Sequence, residues 1–171
     1  RALSGRLGDV VYFFVWLTFI GVNTRTFSAE RFARAAMEGV TLGMNYGLRR
    51  LAELGIEPTQ IRATGGGANS KLWRQIMADV FNAEVVTLKV GEGAAFGAAL
   101  QALWCWRREQ GEDAAIEDIT DSFVQINKSE TALPRPAAVE VYEELQLVQD
   151  KMSLALRDVF SAHRKFVLRG K

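Results

Sequence analysis

Three consecutive glycines, Gly65, Gly66 and Gly67, stand between a strand-like run, Gln60 to Thr64, and a helix-like pattern. The full stretch reads Ile61-Arg-Ala-Thr-Gly-Gly-Gly-Ala-Asn-Ser-Lys-Leu-Trp73. Without Cβ atoms the chain turns sharply there, and a ligand gains close access to the backbone. The helix that follows directs unpaired N–H groups and the positive end of its dipole toward the turn, an arrangement suited to phosphate or the polar part of a nucleotide. A tight strand-to-helix turn with nothing bound is the competing interpretation.

Two phosphate motifs fail on specific residues. A P-loop requires Gly-x4-Gly-Lys-Ser/Thr, whereas this register gives Gly65-x4-Ser70-Lys71-Leu72. The dinucleotide fingerprint Gly-x-Gly-x-x-Gly/Ala meets Ser70 at its last position, and the next strand ends Leu88-Lys89 without an acid.

The rest of the chain sets further bounds. Its 171 residues can bury one good core. A formal charge of +1 argues for neither nucleic acid nor an anionic membrane as partner. Cys105 and His163 are the only residues of their kinds, which excludes an intrachain disulfide and argues against metal-ligand clusters and a histidine triad. The apolar run Val10–Val22 is short for a bilayer and lacks a cleavage-site pattern, so a buried strand pair is expected.

A helix is expected from Ser28, as N-cap, to Leu54, with Gly55 just beyond its end. Its apolar stripe is Phe32, Ala36, Val40, Met44, Leu48 and Leu51. Gly39, Gly43 and Gly47 form a row that lets another backbone approach, with the Gly91–Leu100 helix or its counterpart as expected partner, and Glu38 reads as a surface acid. Beyond the triplet, Leu72, Ile76 and Val80 share one helical face, with Trp73 and Met77 beside it. Ala83–Leu88 reads as a strand, and Gly91-Glu-Gly-Ala-Ala-Phe-Gly-Ala-Ala-Leu100 opens a helix running toward Arg108. Gln110–Asp121 reads as a loop and Phe123–Lys128 as a short strand. A last helix follows Pro134 and Pro136 to about Lys165, with Val141, Leu145, Val148, Met152, Leu156 and Val159 as its stripe. This order defines an α/β layer structure.

Three of these stretches together resemble the C-terminal lobe of the FGGY carbohydrate kinases, most closely the xylulose-kinase branch. They are Arg34-Ala-Ala-Met-Glu-Gly-Val40, Thr64-Gly-Gly-Gly-Ala68 with Leu72-Trp-Arg-Gln-Ile-Met-Ala-Asp-Val80, and Gly91–Leu100. The resemblance covers Thr26 to Trp106; residues 1–25 match poorly, and residues 26–171 are taken as the C-terminal part of the second lobe. It implies an actin-like (ribonuclease H-like) fold, with a sheet covered by helices and two lobes hinged over ATP and Mg2+. It implies phosphoryl transfer from ATP to a primary hydroxyl of D-xylulose. Other sugars or polyols of the family (ribulose, gluconate, glycerol) and a noncatalytic interaction module are the alternatives.

By the same resemblance, Gly65, Gly66, Gly67 and Ala68 form the nucleotide-side motif. Lys71 stands where some relatives carry a nucleotide-contacting asparagine. The family's catalytic aspartate and terminal-phosphate turn have no match, so this segment is expected to hold neither a catalytic residue nor a metal ligand, and to be inactive alone. The implied partners are ATP, a sugar and an N-terminal lobe. A homodimer is compatible with the resemblance, and the implied location is the cytoplasm.

Overall fold

A computed structural model describes residues 22–91 and 93–169. The run expected to form a strand pair, residues 10–22, lies outside the described residues but for Val22. The chain divides into two compact units: one holds the described residues up to Glu57 and from Ala137 onward, the other Pro58–Pro136.

In the first unit, helix α1 spans Ala29–Glu53. The Ser28 side chain accepts a hydrogen bond from the Arg31 N–H at the start. At the end, the Gly55 and Ile56 N–H groups donate to the Ala52 and Leu51 carbonyls, with Gly55 at φ +81°. That pair of bonds satisfies the last carbonyls and needs the left-handed conformation glycine adopts freely. The final helical segment is two helices, α5 (Pro136–Ala155) and α6 (Arg157–Leu168). The break at Leu156 replaces the unbroken helix expected from periodicity, and no glycine or proline marks it.

The α1–α5 contact uses faces other than the expected stripes. Thr41 and Leu42 of α1, and Val139, Tyr142 and Gln146 of α5, are buried. Val40, Met44, Leu51, Val141, Leu145, Val148 and Val159 are exposed. Polar pairs explain the choice. Asn45 donates to Gln146 (3.1 Å), Arg49 pairs with Asp150 (3.0 Å), and the Tyr142 hydroxyl donates to Glu38 (2.8 Å). Glu38 is therefore no surface acid; it is half-buried and also accepts from Arg34. Burial pushes the Tyr142 phenol up to about 12, and its hydrogen bond to Glu38 adds to the shift. At the glycine row, a side chain of α5 arrives. Gln149 donates to the Gly39 carbonyl at 3.0 Å and would lie 3.8 Å from a Cβ on Gly43, while a Cβ on Gly47 would meet nothing.

The second unit is built on a three-stranded sheet in the order β1 (Gln60–Ala63), β2 (Glu84–Leu88), β3 (Ile126–Ala132). Strands β1 and β2 are parallel, pairing Gln60 with Glu84 through Ala63 with Thr87. Helix α2 (Lys71–Phe81) makes the crossover between them. Strand β3 is antiparallel to β2, with an irregular register between Val85 and Thr87. Met77 and Ala78 of α2 pack with Val85 and Ala132, and Ile61, Ala63, Trp73 and Phe81 close around them. Ile76 and Val80 are buried as expected, but Leu72 is exposed because the buried face turns toward Met77.

Helix α3 covers Gly93–Glu109. The expected loop Gln110–Asp121 instead contains helix α4 (Ile116–Phe123), which buries Ile119. The expected strand Phe123–Lys128 begins three residues later, at Ile126. One buried charge ties this unit together. Asp79, fully buried on α2, accepts from the Arg135 backbone N–H (2.9 Å), the Arg135 guanidinium (2.6 Å) and Gln75 (3.0 Å).

Candidate nucleotide site at the glycine turn

Because β1 and β2 run parallel, their carboxyl ends lie at the same edge of the sheet. Each leads through a glycine-containing turn into a helix, α2 after β1 and α3 after β2. Ligands of α/β sheets bind beyond such strand ends. The two turns meet closely: a Cβ on Gly93 would stand 2.9 Å from Thr64 Cβ, so only glycine lets the start of α3 lie against the last residue before the triplet.

The triplet residues have different reasons for being glycine. Gly65 sits at φ +83° and ψ −177°, a region that is essentially glycine's alone and costs an L-residue roughly 1–3 kcal/mol. Gly66–Asn69 then form one 3-10 turn, with the Ala68 N–H donating to the Gly65 carbonyl at 3.0 Å. Gly67 faces the Trp73 ring, and a Cβ there would lie 2.7 Å from Cζ3. Gly66 has neither constraint. Its φ is not left-handed, it is exposed, and a Cβ would meet no atom within 4 Å.

The other two predicted residues play different parts. Ala68 is buried, and its carbonyl accepts a hydrogen bond from the Arg74 guanidinium, so it anchors the turn. Lys71 is the first residue of α2, with its side chain exposed beside the turn. Ser70 caps α2, its hydroxyl accepting from the Trp73 N–H at 3.3 Å. All five predicted residues thus lie on one short connection. Arg74 and Glu130, which pair at 3.8 Å, escaped the sequence reading because isolated charges default to the surface.

Gly66 leaves the exposed face of the turn open. Among the described residues, no group of three or more His, Cys, Asp or Glu side chains is gathered to hold a metal. A separate concavity of about 280 Å³ is lined by Gly97, Leu100, Gln101, Trp104, Ile116 and Thr120. It shares no residue with the glycine turn and presents no charged group. Among the described residues, no helix is long and apolar enough to cross a membrane.

Sheet, crossover helix and glycine turn define an α/β unit, and its likeness to solved xylulose kinases makes the fold actin-like. The model of the FGGY family of carbohydrate kinases, C-terminal domain, matches residues 16–106, and the chain belongs to that family. It is 37% identical over 126 residues to the xylulose kinase of Haemophilus influenzae, covering 74% of this chain and 24% of that protein. Similarity to the Bacillus subtilis gluconokinase is 35% identity over 107 residues, 62% of this chain and 21% of the relative. The crystal structure of ligand-bound xylulose kinase from Lactobacillus acidophilus superposes with a TM-score of 0.70 at 28% identity, covering 87% of this chain and 28% of that one. The chain therefore spans about a quarter of the length of these relatives.

Proposed function

We propose that this chain is the nucleotide-binding C-terminal part of a kinase that transfers the γ-phosphoryl group of ATP to a primary hydroxyl of D-xylulose. The observation that carries the proposal is Gly66: an exposed glycine at a strand-end turn, with no internal reason to lack a side chain, in a carbohydrate-kinase domain. Backbone at Gly65–Gly67 would pack against the nucleoside, and Lys71 would add positive charge beside it. Phosphoryl transfer depends mainly on positioning and charge stabilisation. The base, the terminal-phosphate contacts and the Mg2+ ligands would come from other parts of the complete enzyme, which we propose to be cytoplasmic. The homodimer belongs to the same reading and is checked by sedimentation.

The similarity to a gluconokinase keeps gluconate as the second substrate candidate. The test is sugar-dependent ADP release by the complete enzyme across D-xylulose, D-ribulose, gluconate and glycerol. The highest kcat/KM is expected with D-xylulose, and none is expected from this segment alone. Turnover confined to gluconate would move the substrate assignment. Turnover by the isolated segment would overturn the division of labour.

A further inference from the structure

Arg74 is an expensive residue to bury. Its side chain is only 7% exposed, although a guanidinium carries five donors and a permanent charge. The Arg74 guanidinium reaches back six residues to donate to the Ala68 carbonyl, the anchor of the glycine turn. Its charge is offset by Glu130 of β3, 3.8 Å away. Glu130 is itself held by the Thr87 hydroxyl of β2, which donates to the same carboxylate oxygen at 3.0 Å. A chain of polar contacts therefore runs from β2 and β3 through α2 to the turn. On the adjoining side the Trp73 ring lies against Gly67, so consecutive residues of α2 grip the turn in two places.

We infer that Arg74 is a positioning residue for the nucleotide: by fixing the Ala68 carbonyl, it holds the Gly65–Gly67 backbone in the shape the nucleoside meets. Glu130 and Thr87 hold the guanidinium in place. The inference rests on the nucleotide reading of the turn. It goes beyond that reading by naming a residue with no ligand contact of its own on which nucleotide affinity depends. Stability alone does not require the device. The Ala68 carbonyl adjoins exposed Asn69, and a neutral side chain at position 74 would avoid desolvating a charge.

The test uses the complete kinase carrying Arg74→Met, Arg74→Lys or Glu130→Gln. KM for ATP, KM for sugar and the melting shift induced by ADP are measured well below each variant's own Tm. Arg74→Met is expected to raise KM for ATP by about tenfold, moving KM for sugar less than about twofold. Arg74→Lys should recover part of the loss, because an ammonium can still donate to the Ala68 carbonyl. Glu130→Gln should raise KM for ATP by about two- to threefold. A positioning residue moves the two KM values apart, whereas a merely structural one lowers Tm and leaves both unchanged; the latter result would overturn the inference. Should Arg74→Met fail to fold, Arg74→Lys and Glu130→Gln decide by the same split. If ADP does not stabilise the wild-type enzyme, the nucleotide reading itself fails. If it stabilises wild type and Arg74→Met equally, only the role of Arg74 fails.

Discussion

Replacing each glycine of the triplet by alanine in turn separates the ligand's demands from the fold's. At Gly65 the new side chain must adopt φ +83° with ψ −177°, at a cost of about 1–3 kcal/mol. At Gly67 the new Cβ would stand 2.7 Å from Trp73 Cζ3, roughly 1 Å inside normal carbon contact, and such overpacking typically costs about 1–3 kcal/mol. At Gly66 the methyl group meets nothing within 4 Å. Stability there should hold steady or rise by about 0.4–1 kcal/mol, because alanine restricts the unfolded chain. A nucleoside packed on Gly66 would, however, collide with that methyl. The expected loss is at least tenfold in ATP affinity, about 1.4 kcal/mol. The assay is thermal unfolding of the complete kinase with and without saturating ADP, since a ligand stabilises only the state it binds. Gly66→Ala should melt like wild type without ligand and lose most of the ADP-induced shift. An unchanged shift at unchanged stability would show that no nucleotide touches Gly66. A stability loss at Gly66 as large as that at Gly67 would show the turn itself to be misdescribed.

Removing the Arg135 side chain as Arg135→Met leaves the buried Asp79 carboxylate with neutral donors only, so unfolding free energy should fall by about 3 kcal/mol in denaturant titration. A change below measurement error would mean that the Arg135 N–H and Gln75 suffice. Tyr142 predicts an alkaline limit. Its folded pKa of about 12 lies above the ordinary phenol value of 10.0, so its contribution to stability is complete below pH 10 and is lost as pH rises toward 12. The difference in Tm between wild type and Tyr142→Phe should shrink across that window, and a difference constant with pH would refute the assignment.

Legibility followed the range of the interactions. The strand, the glycine turn, the crossover helix and the second strand were readable because Gly65, Ser70 and the β-branched Val85-Val86-Thr87 act on their own neighbours. Ser28 and Gly55 marked the ends of α1 for the same reason. Helix faces were less legible. On α5 the stripe of Val141, Leu145 and Val148 outranked Tyr142 and Gln146 by hydrophobicity, yet the partners Glu38 and Asn45 select the polar face. Helix α4 was concealed by its acids, although Ile116, Ile119 and Phe123 carry helical spacing. In the candidate site, the triplet, Ala68 and Lys71 were visible as a motif. The separate reasons for Gly65, Gly66 and Gly67 were not, because they depend on a φ angle and on where the Trp73 ring lies. Arg74 and Glu130 meet across a separation of more than fifty residues, which no local pattern encodes.

Amide hydrogen exchange of the complete kinase, with and without ADP, tests most directly whether the glycine turn is the nucleotide site. The account predicts that ADP slows exchange in peptides covering Thr64–Lys71 and the start of α3, where Gly93 lies against Thr64. Peptides from the α1–α5 pair should change much less. Binding of ADP, confirmed by a melting shift, with no slowing across Thr64–Lys71 would contradict it.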